Sequence, residues 1–486
     1  MNPISLKHTL QLFFTILFQL ALIGCKEETI DISEIDKDSN NNIESIVLGC
    51  TDDYAINYDK EALFSNNSCH FNVVSCANCD YIIENNEHTL DNNILELKPG
   101  AIIGIKGGSR KPLTLLNFNG TPGNGRFIFT NCDGTSVLNL EEKPEAIRIR
   151  NSSFLRFTGT GSIDYYGIEV TTGSLGIHGY EKVSDIEIDH IKISNVNGIG
   201  IWVVTRPTCD GTSNYGQYEQ KNTKIHHNYI SDVHGEGMYI GPSKWDSGFD
   251  NPDCSSTKLK QADLKGVEIF NNLVERTGWD GIQVGGAIKD CNIYNNIIKN
   301  YGLEEVSIHQ AGLMINPGTV GAIYANRIEG GTGNAMHLLG FDNLVYSNLI
   351  IDCKLNAIHT GDRNPLAGQS YRIVNNTIIN VGGKALNMNS SMSINNIFEN
   401  NFMVNITDEE FAINNKDNIT LSNNIMASSL DNYTFKDIEN LDFTPVNENT
   451  LLNSGKTITR DYLTVDYKLN PRLIGTIDIG AFENQK

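Results

Sequence analysis

Two acidic residues each stand directly before a glycine, in the runs Gly235-Glu236-Gly237-Met238-Tyr239 and Trp279-Asp280-Gly281-Ile282-Gln283. Two carboxylates held about 5 Å apart can serve a glycosidic bond as acid and nucleophile. They can also hold a hard cation such as calcium, or simply cap turns, and the sequence leaves these three readings open. A second candidate set is His337 and His359, with Arg363 shortly after. Two adjacent imidazoles depress one another's pKa and give a neutral base near pH 7. Trp202, Tyr239 and Gln283 belong with these residues, because sugar rings stack on aromatic faces and bond to amides. The chain carries no G-x-S-x-G elbow, H-E-x-x-H or P-loop to compete with these sets.

What positions these residues is an internal repeat. The segments KIHHNYI, EIFNNLV, NIYNNII, AIYANRI, LVYSNLI, RIVNNTI, IFENNFM and TLSNNIM align on Asn228, Asn272, Asn296, Asn326, Asn348, Asn376, Asn401 and Asn424. Upstream, EIDHIKI fits the same frame with Ile191 in the asparagine place. Apolar residues alternate at period two around each asparagine, which is strand spacing. Between these segments runs a second series, aligned on Gly200, Gly237, Gly281, Gly312, Ala335, Ala357 and Ala385. Two alternating strand series describe the coils of a parallel β-helix. Successive coils stack at roughly 4.8 Å. An asparagine column at a tight turn would satisfy backbone groups that the bend leaves unpaired.

In the second series, parity turns Ile201, Met238, Ile282, Leu313, Met336, Ile358 and Leu386 inward. Trp202, Tyr239, Gln283, Met314, His337, His359 and Asn387 then form an exterior column that reads as a binding strip. Strict alternation would turn Glu236 and Asp280 inward unless the chain bends at Gly237 and Gly281, so their direction stays open. Two insertions, 205–222 and 242–265, leave the same strand in neighbouring coils. They should emerge side by side, joined by a Cys209–Cys254 disulfide, and form a cleft wall carrying Arg206, Lys244 and Trp245. Tyr239 lies about three coils, roughly 14 Å, from His337. The chemistry therefore centres either on Tyr239, Glu236, Asp280 and Gln283 or on His337, His359 and Arg363. His234 and His309, in turns, are weaker candidates; His226 and His227 read as structural.

The ends of the chain speak to its location. Lys7 and His8 precede a short apolar run ending Leu22-Ile23-Gly24-Cys25, which resembles a bacterial lipobox, with Cys25 as the lipidated residue. Lys26-Glu27-Glu28 is similar to the surface-export tags of Bacteroidota lipoproteins. The expected organisation is a signal peptide over 1–24, a polar tether over 25–47, a small disulfide-closed module over 48–72 and a β-helix over 73–486. The segment from Cys50 to Cys69 resembles a short module of exported proteins, closed by a Cys50–Cys69 bond, whose Asp52, Asp53, Asn57 and Asp59 are candidate calcium ligands. Cys76 and Cys79 read as a local staple. A net charge of −21 argues against a nucleic-acid binder and means that an anionic glycan needs a local basic patch.

The opening coils, LELKPGAIIGIKGG and FNGTPGNGRFIFTNCDGTSVLNL, resemble those of right-handed β-helix polysaccharide lyases of the chondroitinase-B and alginate-lyase group. The closing PRLIGTIDIGAFE is similar to the end of many secreted β-helix proteins. The resemblance implies an all-β, right-handed, single-stranded parallel β-helix acting on carbohydrate. The leading expectation is a carbon–oxygen lyase that β-eliminates across a uronate-containing polysaccharide or oligosaccharide, or removes water from a sugar. A glycoside hydrolase using Glu236 and Asp280 and a non-catalytic surface glycan-binding protein are the alternatives. No cofactor is required, with Ca2+ at Glu236 and Asp280 a candidate. The chain is expected to be a monomer, lipid-anchored at the outer membrane or cell surface.

Overall fold

The computed structural model describes residues 48–486 except 61, 63, 66–67, 141–143, 251–253, 255–257, 364–369, 409–410, 457–463, 473–475 and 486. The signal peptide and tether expected over residues 1–47, with Cys25, lie outside the described residues. The chain winds as a right-handed parallel β-helix, and each coil carries three short strands where the sequence suggested two. What reads as one strand around each asparagine is two strands meeting at a corner. Glu219–His226 is followed by Tyr229–Val233, and Asp263–Phe270 by Leu273–Thr277. Equivalent strands pair in register from coil to coil in three ladders, for example Ile225↔Ile269, Ile230↔Val274 and Met238↔Ile282. Inward Ile, Val and Leu side chains from all three ladders fill one continuous core.

The corner is where the sequence specifies the turn. The residue before each ladder asparagine takes a left-handed backbone: Asn271, Asn295, Asn375, Asn400 and Asn423 do so, and asparagine bears that conformation with less penalty than most residues. The asparagine that follows is buried and bonded in both directions along the stack. Asn272 Oδ1 accepts the backbone N–H of Asn228 at 3.1 Å and its Nδ2 at 3.0 Å. Its own Nδ2 donates to the carbonyls of Ile225 and Phe270 and to Asn296 Oδ1. The arrangement repeats through Asn326, Asn348, Asn376, Asn401 and Asn424. At its upstream end Asn228 Oδ1 accepts the N–H of Ile191 at 3.1 Å, which explains why the frame tolerates isoleucine there.

The ends cover two of the three exterior faces. The C-terminal segment lays Phe435, Phe443, Leu451 and Phe482 against Leu349, Ile379 and Phe402 on the outside of the second ladder. The N-terminal module is closed by a Cys50–Cys69 disulfide. It stacks Tyr54 on His226, at 4.9 Å, over the first ladder. Asp52 is buried and accepts from His190 Nε2 at 2.7 Å. His190 Nδ1 meets Asp189 at 2.7 Å. Two carboxylates against one ring raise the pKa of that imidazole despite burial. Cys76 bonds to Cys132, not to Cys79. The Asp133 N–H donates to the Val74 carbonyl and the Asp133 carboxylate accepts from the Cys76 N–H, which lays Cys76 beside Cys132.

The third ladder runs unbroken through 12 strands, from Thr89–Asp91 to Ala412–Ile413, and its exterior forms one line. Replacing Asn296 by Ala would orphan the N–H of Asn272 and the carbonyl of Ile269. Each unmade buried bond costs about 1–3 kcal/mol. A urea titration should show Asn296→Ala destabilised by about 2–6 kcal/mol. Asn414→Ala, at an exposed asparagine, should stay within about 0.5 kcal/mol of the parent. Equal shifts would contradict a structural role for the buried column.

Candidate active site

The register of the third ladder places Trp202, Tyr239, Gln283, Met314, His337, His359 and Asn387 in consecutive rungs of one exterior column. Their inward neighbours Ile201, Met238, Ile282 and Leu313 are fully buried. The column continues upstream through His178 to Arg148, whose coils lack the asparagine frame and so gave no signal in the sequence. Trp202 is stacked between His178 at 4.5 Å and Tyr239 at 5.7 Å, with the Arg206 guanidinium 4.6 Å above its ring. This upstream end is an aromatic platform capped by the Arg206 guanidinium, with Arg148 paired to Glu145 at its edge.

The two insertions emerge together. Cys209 and Cys254 are bonded, and Asn214 pairs with Gln261 in an antiparallel bridge. Both insertions are shorter than the sequence suggested, because Glu219 and Asp263 already pair in the first ladder. The second insertion also lies down across the strip. Trp245 packs on the backbone of Gly286 and Gly318, where a side chain at either glycine would strike its ring, and its Nε1 donates to Asp263 at 2.7 Å. Asp246 reaches Arg363, at 3.6 Å. Gln283 and Met314, in the rungs between, are only 3% and 5% exposed. Gln283 is therefore not an open sugar contact, and Trp245 is an anchor of the wall. Lys244 stays exposed on that insertion. The strip is divided into an upstream platform and a downstream site.

The downstream site holds His337 and His359, ring centroids 4.7 Å apart and edge to face. Burial, helped by the neighbouring ring, pushes the His337 pKa down to about 4, and burial lowers that of His359. Both imidazoles are uncharged at neutral pH. Arg363 extends back to Asn316, with Nη1 3.5 Å from Oδ1. Tyr239, at the other side of the wall, hydrogen-bonds Ser243 through its hydroxyl at 2.5 Å, and burial raises its pKa.

Glu236 and Asp280 belong to neither half. The chain bends at Gly237 and Gly281, where an added Cβ would strike Val274 and Ile298 of the second ladder. This turns the two carboxylates to the corner between the second and third ladders. There they meet His309, whose Nδ1 lies 3.8 Å from Glu236 Oε1 and 3.6 Å from Asp280 Oδ2. Burial and the Asp280 charge raise the Glu236 pKa to about 7. Trp279 stacks on His309 at 4.8 Å. A cleft of about 590 Å³, lined by Asn197, His234, Glu236, Trp279 and Glu304, opens beside them. His234 is engaged by Glu304 at 2.7 Å. His309 sits 29 residues beyond Asp280 in an irregular segment, and no spacing rule in the sequence pointed to it. Among the described residues three clusters could hold a divalent ion: this one, with His309 half-exposed, and two buried ones, Asp52 with His190 and His227, and Glu187 with Asp189 and His226.

No family model and no curated protein matches the chain. Among solved structures it is similar to the PL6 family alginate lyase AlyGC, at 15% identity and a TM-score of 0.45 over 74% of this chain and 55% of that one. The chain thus spans about half the length of AlyGC. It is also similar to pectate lyase Pel9A, at 14% identity and a TM-score of 0.42 over 84% and 97% of the two chains. A third is the periplasmic alginate epimerase AlgG, at 11% identity and a TM-score of 0.36 over 71% and 84%.

The low pKa of His337 sets a pH dependence whose sign is fixed. Above about pH 6.5 the ring is neutral in both folded and unfolded chains. Between about 6.5 and 4 the unfolded chain takes up a proton that the folded one refuses, so stability falls as pH falls through that window. Urea midpoints at pH 7 and pH 5 should show His337→Gln gaining on the parent at the lower pH. A gap that does not change with pH would contradict a neutral buried imidazole.

Proposed function

We propose that this chain is a carbohydrate-active carbon–oxygen lyase, with its chemistry at the downstream site formed by His337, His359 and Arg363. The observation that carries this reading is a pair of imidazoles held neutral by burial on an otherwise polar exterior face, near a guanidinium and beneath a disulfide-pinned wall. A uronate unit presents a proton made acidic by its carboxyl group. Arg363 would pair with that carboxylate and stabilise the charge that develops as the proton leaves. His359 would accept the proton, and the imidazolium so formed would return it to the departing glycosidic oxygen as the C–O bond breaks and the C=C bond forms. If the departing group is a hydroxyl, the same steps make a sugar dehydratase.

Tyr239 fits this scheme less well as the base. Its hydroxyl is engaged by Ser243, its pKa is raised, and it lies about three rungs, roughly 14 Å, from His337. Its place beside Trp202 and Arg206 suits the binding of further sugar units of the same chain. Glu236 and Asp280 do not suit a glycoside hydrolase on this strip, because they sit at the corner and Asp280 is fully buried. We also place the protein at the outer membrane or cell surface, anchored through a lipid on Cys25, as a monomer.

A panel of uronans tests the reading. Turnover should generate the ultraviolet absorbance of an unsaturated uronate, and His359→Asn should lower kcat/KM by about 10²–10⁴-fold. Trp202→Ala should raise KM with a smaller effect on kcat. New reducing ends without unsaturation would indicate hydrolysis, and binding without product would indicate a glycan-binding protein; either would overturn the proposal.

A further inference from the structure

The three clusters of histidine and acid differ in what neutralises them. Around Asp52 and His190 the contacts are hydrogen bonds at 2.7 Å, and both ring nitrogens of His190 are committed to carboxylates. Around Glu187 and Asp189, the cations Arg126, Arg156 and Lys224 are already in place. At the corner of the third ladder, Glu236 and Asp280 face no lysine or arginine among the described residues that bear on their charge; His309 is the one cationic group there.

Glu236 Oε2, on a residue 2% exposed, is buried without a hydrogen-bond partner, while Asp280 Oδ2, on a residue 0% exposed, meets only the His309 imidazole, at 3.6 Å. His309 Nδ1 faces both acids, and only as loose ion pairs. A buried carboxylate oxygen with no donor is strongly disfavoured unless it takes up a proton or a cation meets it. The separations of 3.6 and 3.8 Å from His309 Nδ1 exceed the roughly 3.2 Å limit of an N–H···O bond. They approach the spacing of ligand atoms around one shared ion. Donors at about 2.1 Å from a tetrahedral centre stand roughly 3.4 Å apart.

The surroundings also fix the ligands. Asp280 Oδ1 accepts the Ala311 N–H at 2.7 Å, which turns Oδ2 toward the cluster, and Trp279 holds the imidazole face. Such outer partners orient metal ligands. The residue before His309 is Ile308, a β-branched residue at φ 67, an unfavourable backbone that the fold maintains at this point.

We infer that Glu236, Asp280 and His309 form a mononuclear site for a first-row divalent transition-metal ion, Zn2+ fitting best, with its remaining coordination positions toward the adjoining cleft. The ligand set decides the ion. Calcium takes six to eight oxygen ligands, whereas two carboxylates and an imidazole suit zinc or manganese. The inference does not rest on the lyase reading, since the site lies at a different corner from His359 and Arg363.

The test is calorimetric titration of the full-length chain, stripped with chelator, using Zn2+, Mn2+ and Ca2+ separately, together with Co2+ followed by its visible spectrum. One Zn2+ or Co2+ should bind per chain, far more tightly than Ca2+. His309→Ala and Glu236→Gln should each weaken binding by at least the roughly 10–100-fold that loss of an outer-shell partner costs. His227→Asn, in the cluster beneath the N-terminal module, should leave binding unchanged. Circular dichroism would establish that each variant is folded. Absence of stoichiometric binding, tighter binding of Ca2+ than Zn2+, or binding lost in His227→Asn but kept in His309→Ala would each overturn the assignment. Because the readout is metal affinity and not turnover, its failure is separate from failure of the lyase.

Discussion

Every feature of this protein depends on the vertical stacking of coils, and the asparagine column is the interaction that enforces it. A parallel β-helix must turn its chain sharply in each coil while leaving few backbone groups unpaired. Here one amide per coil accepts from the coil before it and donates to the coil after it, as Asn272 does between Asn228 and Asn296. Residues that are 22 to 44 positions apart in sequence are thereby stacked directly over one another. Without that constraint Trp202 and Tyr239, or His337 and His359, would have no fixed relation.

The same stack builds two opposite electrostatic environments from one residue type. His190 is buried between Asp52 and Asp189, which raise its pKa and help to fix the N-terminal module to the solenoid. His337 is buried beside another imidazole, without a carboxylate, and is neutral. Burial alone does not determine a histidine's role; the charge of the neighbours that the ladder supplies does. The wall of the cleft follows a similar logic. A disulfide ties two insertions together, and the larger one is pressed onto the ladder through Trp245, because Gly286 and Gly318 leave room for its ring.

The parts of the fold legible in the sequence were those set by local period. Alternation identified the strands, the asparagines set the coil length, and parity sorted Met238 from Tyr239 and Met336 from His337. What was hidden depends on contacts between distant segments or on bends that have no period. The left-handed residue before each asparagine makes two strands out of what reads as one. The bends at Gly237 and Gly281 carry Glu236 and Asp280 away from the strip, to a corner that alternation cannot describe. Gln283 reads as exposed, yet the folded chain buries it. The Cys76–Cys132 bond and the arrival of His309 likewise need the third dimension.

The most direct measurement of the central claim is a crystal structure of the protein with a uronate oligosaccharide bound. The account predicts the sugar chain on the exterior of the third ladder, with a carboxylate within hydrogen-bonding distance of Arg363 and the adjacent ring beside His359. A ligand seated instead on the stacked rings of Phe270, Tyr294 and Tyr324 outside the first ladder would contradict it.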